Sequence, residues 1–241
     1  MATIAVYSLK GGVGKTTLAV NLAWAAATRS ARRALLWDLD PQAASTFLLE
    51  GHASGRNAAQ AIFTRDVGPA KLARHTGIDR LDLIAADASL RSLDRTFHEL
   101  DKKKRLAKLL TALADSYERV LLDCPPGLTE TSEQVMRAAD LIVVPVIPSP
   151  LSMRALAEVE SHLGRKGAPL MPVHSMVDRR RKLHAEALAA QPDWPVIPMA
   201  SIVEAMAVRR RPVGAFAPRS PGAQAFADLW QAIERRLASK R

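Results

Sequence analysis

A strand-like run, Thr3-Ile4-Ala5-Val6-Tyr7-Ser8, leads into Lys10-Gly11-Gly12-Val13-Gly14-Lys15-Thr16-Thr17, and a helix-type run starts near Lys15. Strand, glycine-rich turn and helix start, in that order, predict a phosphate cradle. Glycines at 11, 12 and 14 let the backbone turn tightly and aim successive N–H groups inward, while the helix N-terminus adds partial positive charge at the same spot. Residues Gly11, Gly12, Val13, Gly14, Lys15, Thr16 and Thr17 would then surround the phosphates of a nucleotide, with Lys15 on the β- and γ-phosphates and the Thr16 hydroxyl on Mg²⁺. The common spacing G-x-x-x-x-G-K-[ST] needs Gly at position 9, where this chain has Leu9 followed by Lys10. A second lysine therefore stands where the loop opens.

Downstream, apolar strand-like runs alternate with helical patterns. Strands are predicted near 3–8, 33–38, 81–85, 119–124, 140–146, 170–176 and 194–197, and helices near 15–28, 103–116, 132–138, 152–163, 180–190 and 222–237. Near-continuous apolar runs such as Leu141-Ile142-Val143-Val144-Pro145-Val146 suit a parallel sheet covered on both faces. The expected architecture is an α/β P-loop NTPase, a doubly wound, mostly parallel sheet with helices on both faces, in one domain spanning residues 1–241. Segment 43–80 resists assignment, because Gly51, Gly55, Gly68-Pro69 and Gly77 break its pattern.

Sites in such sheets form outside the carboxyl ends of the strands. Two strands end in aspartate there: Ala34-Leu35-Leu36-Trp37 runs into Asp38-Leu39-Asp40-Pro41-Gln42, and Val120-Leu121-Leu122 into Asp123-Cys124-Pro125-Pro126-Gly127. Carboxylates so placed can hold Mg²⁺ through water and position a water for in-line attack on a γ-phosphate. The base should be adenine, since the N-K-x-D tetrad that reads guanine is absent and Asp178, in Ser175-Met176-Val177-Asp178, lacks its Asn and Lys.

K-G-G-x-G-K-T-T at 10–17 resembles the deviant Walker A motif of the ParA/MinD family of ATPases, D-x-D-P-Q at 38–42 is similar to the family's A′ motif, and D-C-P-P at 123–126 to its Walker B and second switch. The resemblance implies an ATPase in which Lys10 reaches across a dimer interface to the partner's nucleotide. It also implies that Asp40 orients and activates the attacking water, that Asp38 supports the Mg²⁺ shell, and that Asp123 binds Mg²⁺ through water. It extends through Ala139–Val146 and through Pro218-Arg219-Ser220-Pro221-Gly222-Ala223, similar to the family's lead-in to its last helix. Two regions invite comparison with chromosome-partitioning members. In Ile197-Pro198-Met199-Ala200, where those members usually read I-P-R-N, Pro198 matches as a nucleotide contact. Met199 and Ala200 replace a DNA-contacting arginine and a base-contacting asparagine. The D-x-R element at Asp178-Arg179-Arg180 is present, which makes Arg180 a candidate DNA contact, with Arg209, Arg210, Arg211 and Arg219 as further candidates. The partners implied are a second copy in the ATP-bound state, non-specific DNA, and a ParB-like or cargo-adaptor protein that stimulates hydrolysis. ATP and Mg²⁺ are the implied cofactors, and a cytoplasmic, nucleoid-associated protein the implied setting.

The charge distribution agrees with a polyanionic partner. The formal net charge of +10 divides into +3 for residues 1–150 and +7 for 151–241, where Arg179-Arg180-Arg181-Lys182, Arg209-Arg210-Arg211, Arg219, Arg235-Arg236 and Lys240-Arg241 stand. Neutralising phosphates releases counterions and gives sequence-independent affinity. Neither zinc-finger spacing nor clustered aromatics for base stacking is present, so any DNA binding should be non-specific and salt-sensitive. The Lys102-Lys103-Lys104-Arg105 run reads as the solvated start of a helix carrying Leu106, Leu109, Leu110 and Leu113.

Other classes are weaker. The single cysteine, Cys124, excludes an internal disulfide and a reductase of the nitrogenase iron-protein type, and it reads as a small core residue. No apolar run approaches the ~20 residues of a membrane span, and the chain enters a strand at once, without a signal-peptide layout. A MinD-like membrane-cycling regulator is the alternative function, suggested by the stripe Ala225, Phe226, Leu229, Trp230, Ile233 and Leu237 with basic residues nearby. A ligase of the dethiobiotin-synthetase type shares the fold, but Lys10 and the basic C-terminal part count against it.

Overall fold

The computed structural model describes residues 1–49, 58–64, 67–99, 104–164 and 167–239. Gly51, Gly55, Lys102, Lys103, Lys240 and Arg241, singled out above, lie outside them. In chain order the first part runs β1 (Ala2–Val6), α1 (Lys15–Arg29), β2 (Ala34–Asp38), α2 (Ala44–Leu48), α3 (Ala58–Thr64), β3 (Arg74–His75), β4 (Leu81–Ile84), α4 (Leu93–Glu99), α5 (Arg105–Thr111) and β5 (Arg119–Asp123). Then follow α6 (Glu130–Ala138), β6 (Leu141–Val146), α7 (Pro150–Leu163), β7 (Leu170–Val177), α8 (Lys182–Ala190), β8 (Val196–Pro198), α9 (Ser201–Arg209), α10 (Val213–Phe216) and α11 (Pro221–Ala238). Short 3₁₀ turns cover Pro69–Lys71 and Ala88–Ser92.

The strands form one eight-stranded sheet in the order β3-β4-β2-β5-β1-β6-β7-β8. Every neighbouring pair is parallel except β3–β4. The chain winds outward from β1 to one side, returns at β5, and then winds to the other side from β6. The crevice where it changes direction lies beyond the carboxyl ends of β1, β5 and β6, the place where doubly wound sheets take ligands. Alternation across the sheet sorts the core. Ile4 and Val6 of β1 face a cluster with α1 and α11, while Ala5 and Tyr7 face a second cluster with α3 to α7. The burial on both faces predicted for Leu141–Val146 is present, with all six residues buried.

Three helices start where side chains satisfy their orphan N–H groups. Thr129 and Ser132 form a reciprocal capping box at α6, and Ser149 and Ser220 accept from the N–H groups of Ser152 and Ala223, each followed by Pro at the first helical position. These caps move the starts of α6, α7 and α11 to 130, 150 and 221, ahead of the periodicity-based 132, 152 and 222. The helix expected over 103–116 is shorter, ending at Thr111, although Leu106, Leu109, Leu110 and Leu113 are all buried as its spacing demands. Periodicity missed β3, α2, α3, α4, α9 and α10, elements of nine residues or fewer that are too short to repeat a pattern.

The apolar stripe of α11 is core. Phe226, Leu229, Trp230, Ile233 and Leu237 are buried and the Trp230 indole donates to Ser30 Oγ at 2.7 Å, so this face is not available to lipid. Among the described residues, no helix is long and apolar enough to cross a membrane. Cys124 is fully buried, and burial raises its thiol well above the usual range.

Candidate nucleotide site

The loop 10–14 turns out of β1 and into α1 with Gly12 and Gly14 at φ +71° and +91°. At Gly14 a Cβ would also meet Ser175 Oγ at 3.2 Å, and Ser175 donates to the Val13 carbonyl at 2.8 Å, so β7 buttresses the loop from the side. Lys15 is buried and its Nζ donates to the Lys10 carbonyl at 2.9 Å, which ties the two lysines of the motif together. Burial lowers its pKa, and the nearby Asp123 and Asp40 act in the opposite direction. Lys10 itself is half-buried at the loop mouth, while Gly11 and Gly12 are exposed.

The carboxylates arrive on adjacent strands. Asp38 and Asp123 are register partners across β2 and β5, and both are fully buried. Asp38 Oδ1 accepts the Asp40 N–H at 3.1 Å, and its Oδ2 accepts both the N–H and the hydroxyl of Thr46, at 2.9 and 2.8 Å. Its contacts thus shape the turn that carries Asp40 and the start of α2. Asp40, half-exposed, accepts the Gln42 N–H at 2.8 Å. Asp123 Oδ2 accepts the Ser45 hydroxyl at 2.6 Å, whereas its Oδ1 is buried with no hydrogen-bond partner. Burial raises the pKa of both Asp38 and Asp123, and the charge of Asp123 raises that of Asp38 further. A buried carboxylate oxygen without a donor, beside the Thr16 hydroxyl and Lys15, suits a hydrated divalent cation. These residues fit Mg²⁺, which when bound would supply charge neutralisation at the phosphates.

Beside the loop lies a narrow, largely apolar cleft of about 50 Å³ bounded by Gly14, Thr17, Met176, Pro198, Met199 and Glu204, among others. The cleft is lined by Pro198, the residue predicted as a nucleotide contact. Met176 enters the cleft from a left-handed backbone (φ +55°), where β7 and β8 shift register.

Sequence reasoning missed four residues here. Ser45 and Thr46 follow D-x-D-P-Q by only three and four positions, and a pair of hydroxyls that close to two strand-end carboxylates was the available signal. Tyr7, buried at the end of β1, donates to the Gly127 carbonyl at 2.9 Å and holds the turn after Asp123, where Gly127 has φ +93°. Asn21 accepts from the Val213 N–H and donates to the Thr17 carbonyl, joining the cradle helix to α10. No local pattern marks either of the last two.

The basic candidates divide between the two ends of the sheet. Arg180 follows the carboxyl end of β7, on the nucleotide side, and is fork-bonded to Asp178 at 2.9 Å through both Nε and Nη2. Asp178 is held well below the usual carboxylate range by that guanidinium. Arg209 and Arg211 are exposed, Arg210 is half-buried against Phe47, and Arg219 is exposed before α11. Arg235 and Arg236 belong to the other end, adjoining Glu234, which pairs with Arg119 at the start of β5 at 2.7 Å.

Comparison with known proteins places this geometry. The AAA_31 family model, described as an AAA domain, matches residues 1–165. The sporulation initiation inhibitor protein Soj of Bacillus subtilis is 27% identical over 94% of this chain and 95% of its own length. The chromosome-partitioning ATPase Soj of Thermus thermophilus is 31% identical, covering 97% of this chain and 96% of that protein. Among solved structures, the septum site-determining protein MinD from Pyrococcus horikoshii, complexed with Mg-ADP, superposes with a TM-score of 0.81 at 21% identity, over 100% of this chain and 98% of that one.

Proposed function

As this chain belongs to the ParA/MinD family of partitioning ATPases and hydrolyses ATP, we propose that its ATP-bound form closes into a nucleotide-sandwich homodimer which binds DNA without sequence preference. Hydrolysis opens the dimer and releases the DNA. The cycle positions a cargo such as a plasmid, a chromosome region or a protein assembly, with a ParB-like or cargo-adaptor protein stimulating turnover. One observation carries the reading: an extra lysine, Lys10, stands at the mouth of the cradle, and exposed arginines at 179–181 stand at the same carboxyl edge of the sheet.

The chain's own groups divide the work. Backbone N–H groups of the loop and the start of α1 bind the phosphates, and Lys15 neutralises charge that builds on the β–γ bridging and γ-oxygens. Thr16 and Asp123 are the residues that would hold Mg²⁺. Asp40 accepts a hydrogen bond from the attacking water and sets its line of approach, while Asp38 acts through the turn that aims Asp40. Lys10 of each copy reaches the other's phosphates. Joining two basic surfaces adds avidity, which raises affinity for a long polyanion by about 10²-fold or more without a new contact.

The test is binding to a random-sequence duplex with ATP, with ADP and without nucleotide, at two salt concentrations, with Lys10→Ala as control. Salt-sensitive binding that needs both ATP and Lys10 is expected. Binding that is indifferent to nucleotide, or an Lys10→Ala variant that dimerises normally with ATP, would overturn the proposal. The MinD-like alternative predicts ATP-dependent sedimentation with anionic liposomes, and the burial of the α11 stripe argues against it.

A further inference from the structure

Three consecutive residues of α2 reach three different places. The Ser45 hydroxyl is on Asp123, the Thr46 N–H and hydroxyl are on Asp38, and Phe47 is on Arg210. The last contact is double: the Phe47 carbonyl accepts from Arg210 Nε at 3.0 Å, and the Phe47 ring lies 4.6 Å from the guanidinium carbon. Phe47 is otherwise hard to explain, since a phenylalanine 52% exposed contributes little to the core. Arg210 sits at the C-cap of α9 with φ +49°, a conformation that side chains other than glycine rarely adopt without local support. Three residues on, Val213 is anchored to Asn21 of the cradle helix. The Arg209–Arg211 turn is therefore held on one side by α1 and on the other by a short helix whose Ser45 and Thr46 donate to the two carboxylates of the nucleotide site, the Thr46 hydroxyl also accepting the Ala86 N–H.

We propose that α2 relays the state of the nucleotide site to the basic cluster, with Phe47 as the positioning residue that sets Arg210. This rests on the nucleotide and DNA reading above. A hydrated cation taken up at Asp123 Oδ1 draws on the same carboxylate whose Oδ2 holds the Ser45 hydroxyl, so loading the site re-seats Ser45. This helix of only five residues, with no side-chain cap at its start and Ala43 before it at φ +54°, is held by these contacts together with the buried Leu48 and the Ala86 N–H on the Thr46 hydroxyl. When it moves, Arg210 either follows Phe47 or is released from it, and in both cases the arginine turn changes its presentation. The coupling exists because the two nucleotide states differ in what they ask of Asp123, as any linkage between distant sites requires.

Backbone hydrogen exchange of the full chain, with and without Mg-ADP or Mg²⁺ with a non-hydrolysable ATP analogue, tests this without DNA. In the wild type, nucleotide should slow exchange in loop 11–17 and change it at 209–211 by about fivefold. In Phe47→Ala, which removes the ring but keeps the carbonyl, the loop should respond as before while the response at 209–211 falls by about twofold or more. Arg210→Lys, which keeps the charge but loses both the Nε–H and the planar ring contact, should lose the response at 209–211 altogether. If residues 209–211 in Phe47→Ala respond as in the wild type, or if they do not respond in the wild type itself, the relay does not exist. A parallel titration with random-sequence duplex separates the two readings. Should the wild type fail to bind DNA while its arginine turn still responds through Phe47, the DNA proposal fails and the relay stands. Should DNA bind with ATP dependence unaltered by Phe47→Ala, the relay is overturned and the DNA proposal stands.

Discussion

At the nucleotide edge, Lys15 is 7% exposed, Asp38 and Asp123 are at 0%, and their contacts come from side chains and backbone on other elements. On the basic surface the Arg180 side chain is 90% exposed, and the carboxylate it pairs with is two residues away. Both regions use charge, under different constraints. A buried charge must meet specific partners at hydrogen-bond distance or incur a large desolvation penalty, so each position demands one residue type. An exposed cation serves a polyanion from many positions, since counterion release depends on how many phosphates are neutralised more than on where each cation stands. On the proposed DNA-binding reading, Met199 in place of the arginine expected from the resemblance is offset by other exposed cations such as Arg209 and Arg211, while Ala200, in place of a base-contacting asparagine, has no such account.

Substitutions at the two regions should differ in size and in additivity. The largest effect is expected for Lys15→Ala, which should abolish detectable ATP hydrolysis and weaken nucleotide binding by about 10²-fold or more in a fluorescent-nucleotide titration. Asp40→Ala should come next, lowering turnover by about 10²–10³-fold while leaving ATP binding intact, so that the ATP-bound dimer accumulates on size-exclusion chromatography. If Asp40→Ala hydrolyses ATP at the wild-type rate, the catalytic assignment at this edge fails. Ser45→Ala removes the one hydrogen bond seen at Asp123 Oδ2 and should cost about 1–3 kcal/mol in chemical denaturation without nucleotide. Added Mg-ATP should restore part of that loss, because a bound cation then serves the carboxylate. Smallest are the single arginines. Arg180→Ala or Arg219→Ala should each weaken duplex binding only several-fold and reduce the slope of log affinity against log salt by about 1. A single arginine variant that eliminated DNA binding would break the contrast, since it would mean the basic surface is as sharply specified as the cradle.

Legibility in the sequence follows the same division. The loop, the three aspartates and the central strands could be read because each is local: consecutive glycines make a turn, a strand of five or six apolar residues repeats its pattern, and an aspartate at its end stands where the crevice must be. Helix starts were off by about two residues because periodicity registers the buried face, while the start is fixed by a cap such as Ser149 or Thr129 that lies outside it. Ser45 and Thr46 carried a weak signal in their closeness to the D-x-D-P-Q aspartates, whereas the role of Tyr7 was not legible, since an isolated hydroxyl has no pattern until its partner is known. The stripe on α11 was legible as amphipathic but not as core or surface, because periodicity is the same for either.

By itself the sequence determined the chemistry of the cradle and the order of its elements, because those depend on backbone freedom, side-chain type and spacing over fewer than ten residues. The tertiary structure alone decided which oxygen of Asp123 is left without a donor, that α2 stands between the carboxylates and Arg210, and that Arg235-Arg236 lies at the far end of the sheet from Arg180. Each of those facts is a meeting of residues tens to more than a hundred positions apart. Such a meeting is set by the order of the strands and the packing of helices across them, which no local pattern encodes.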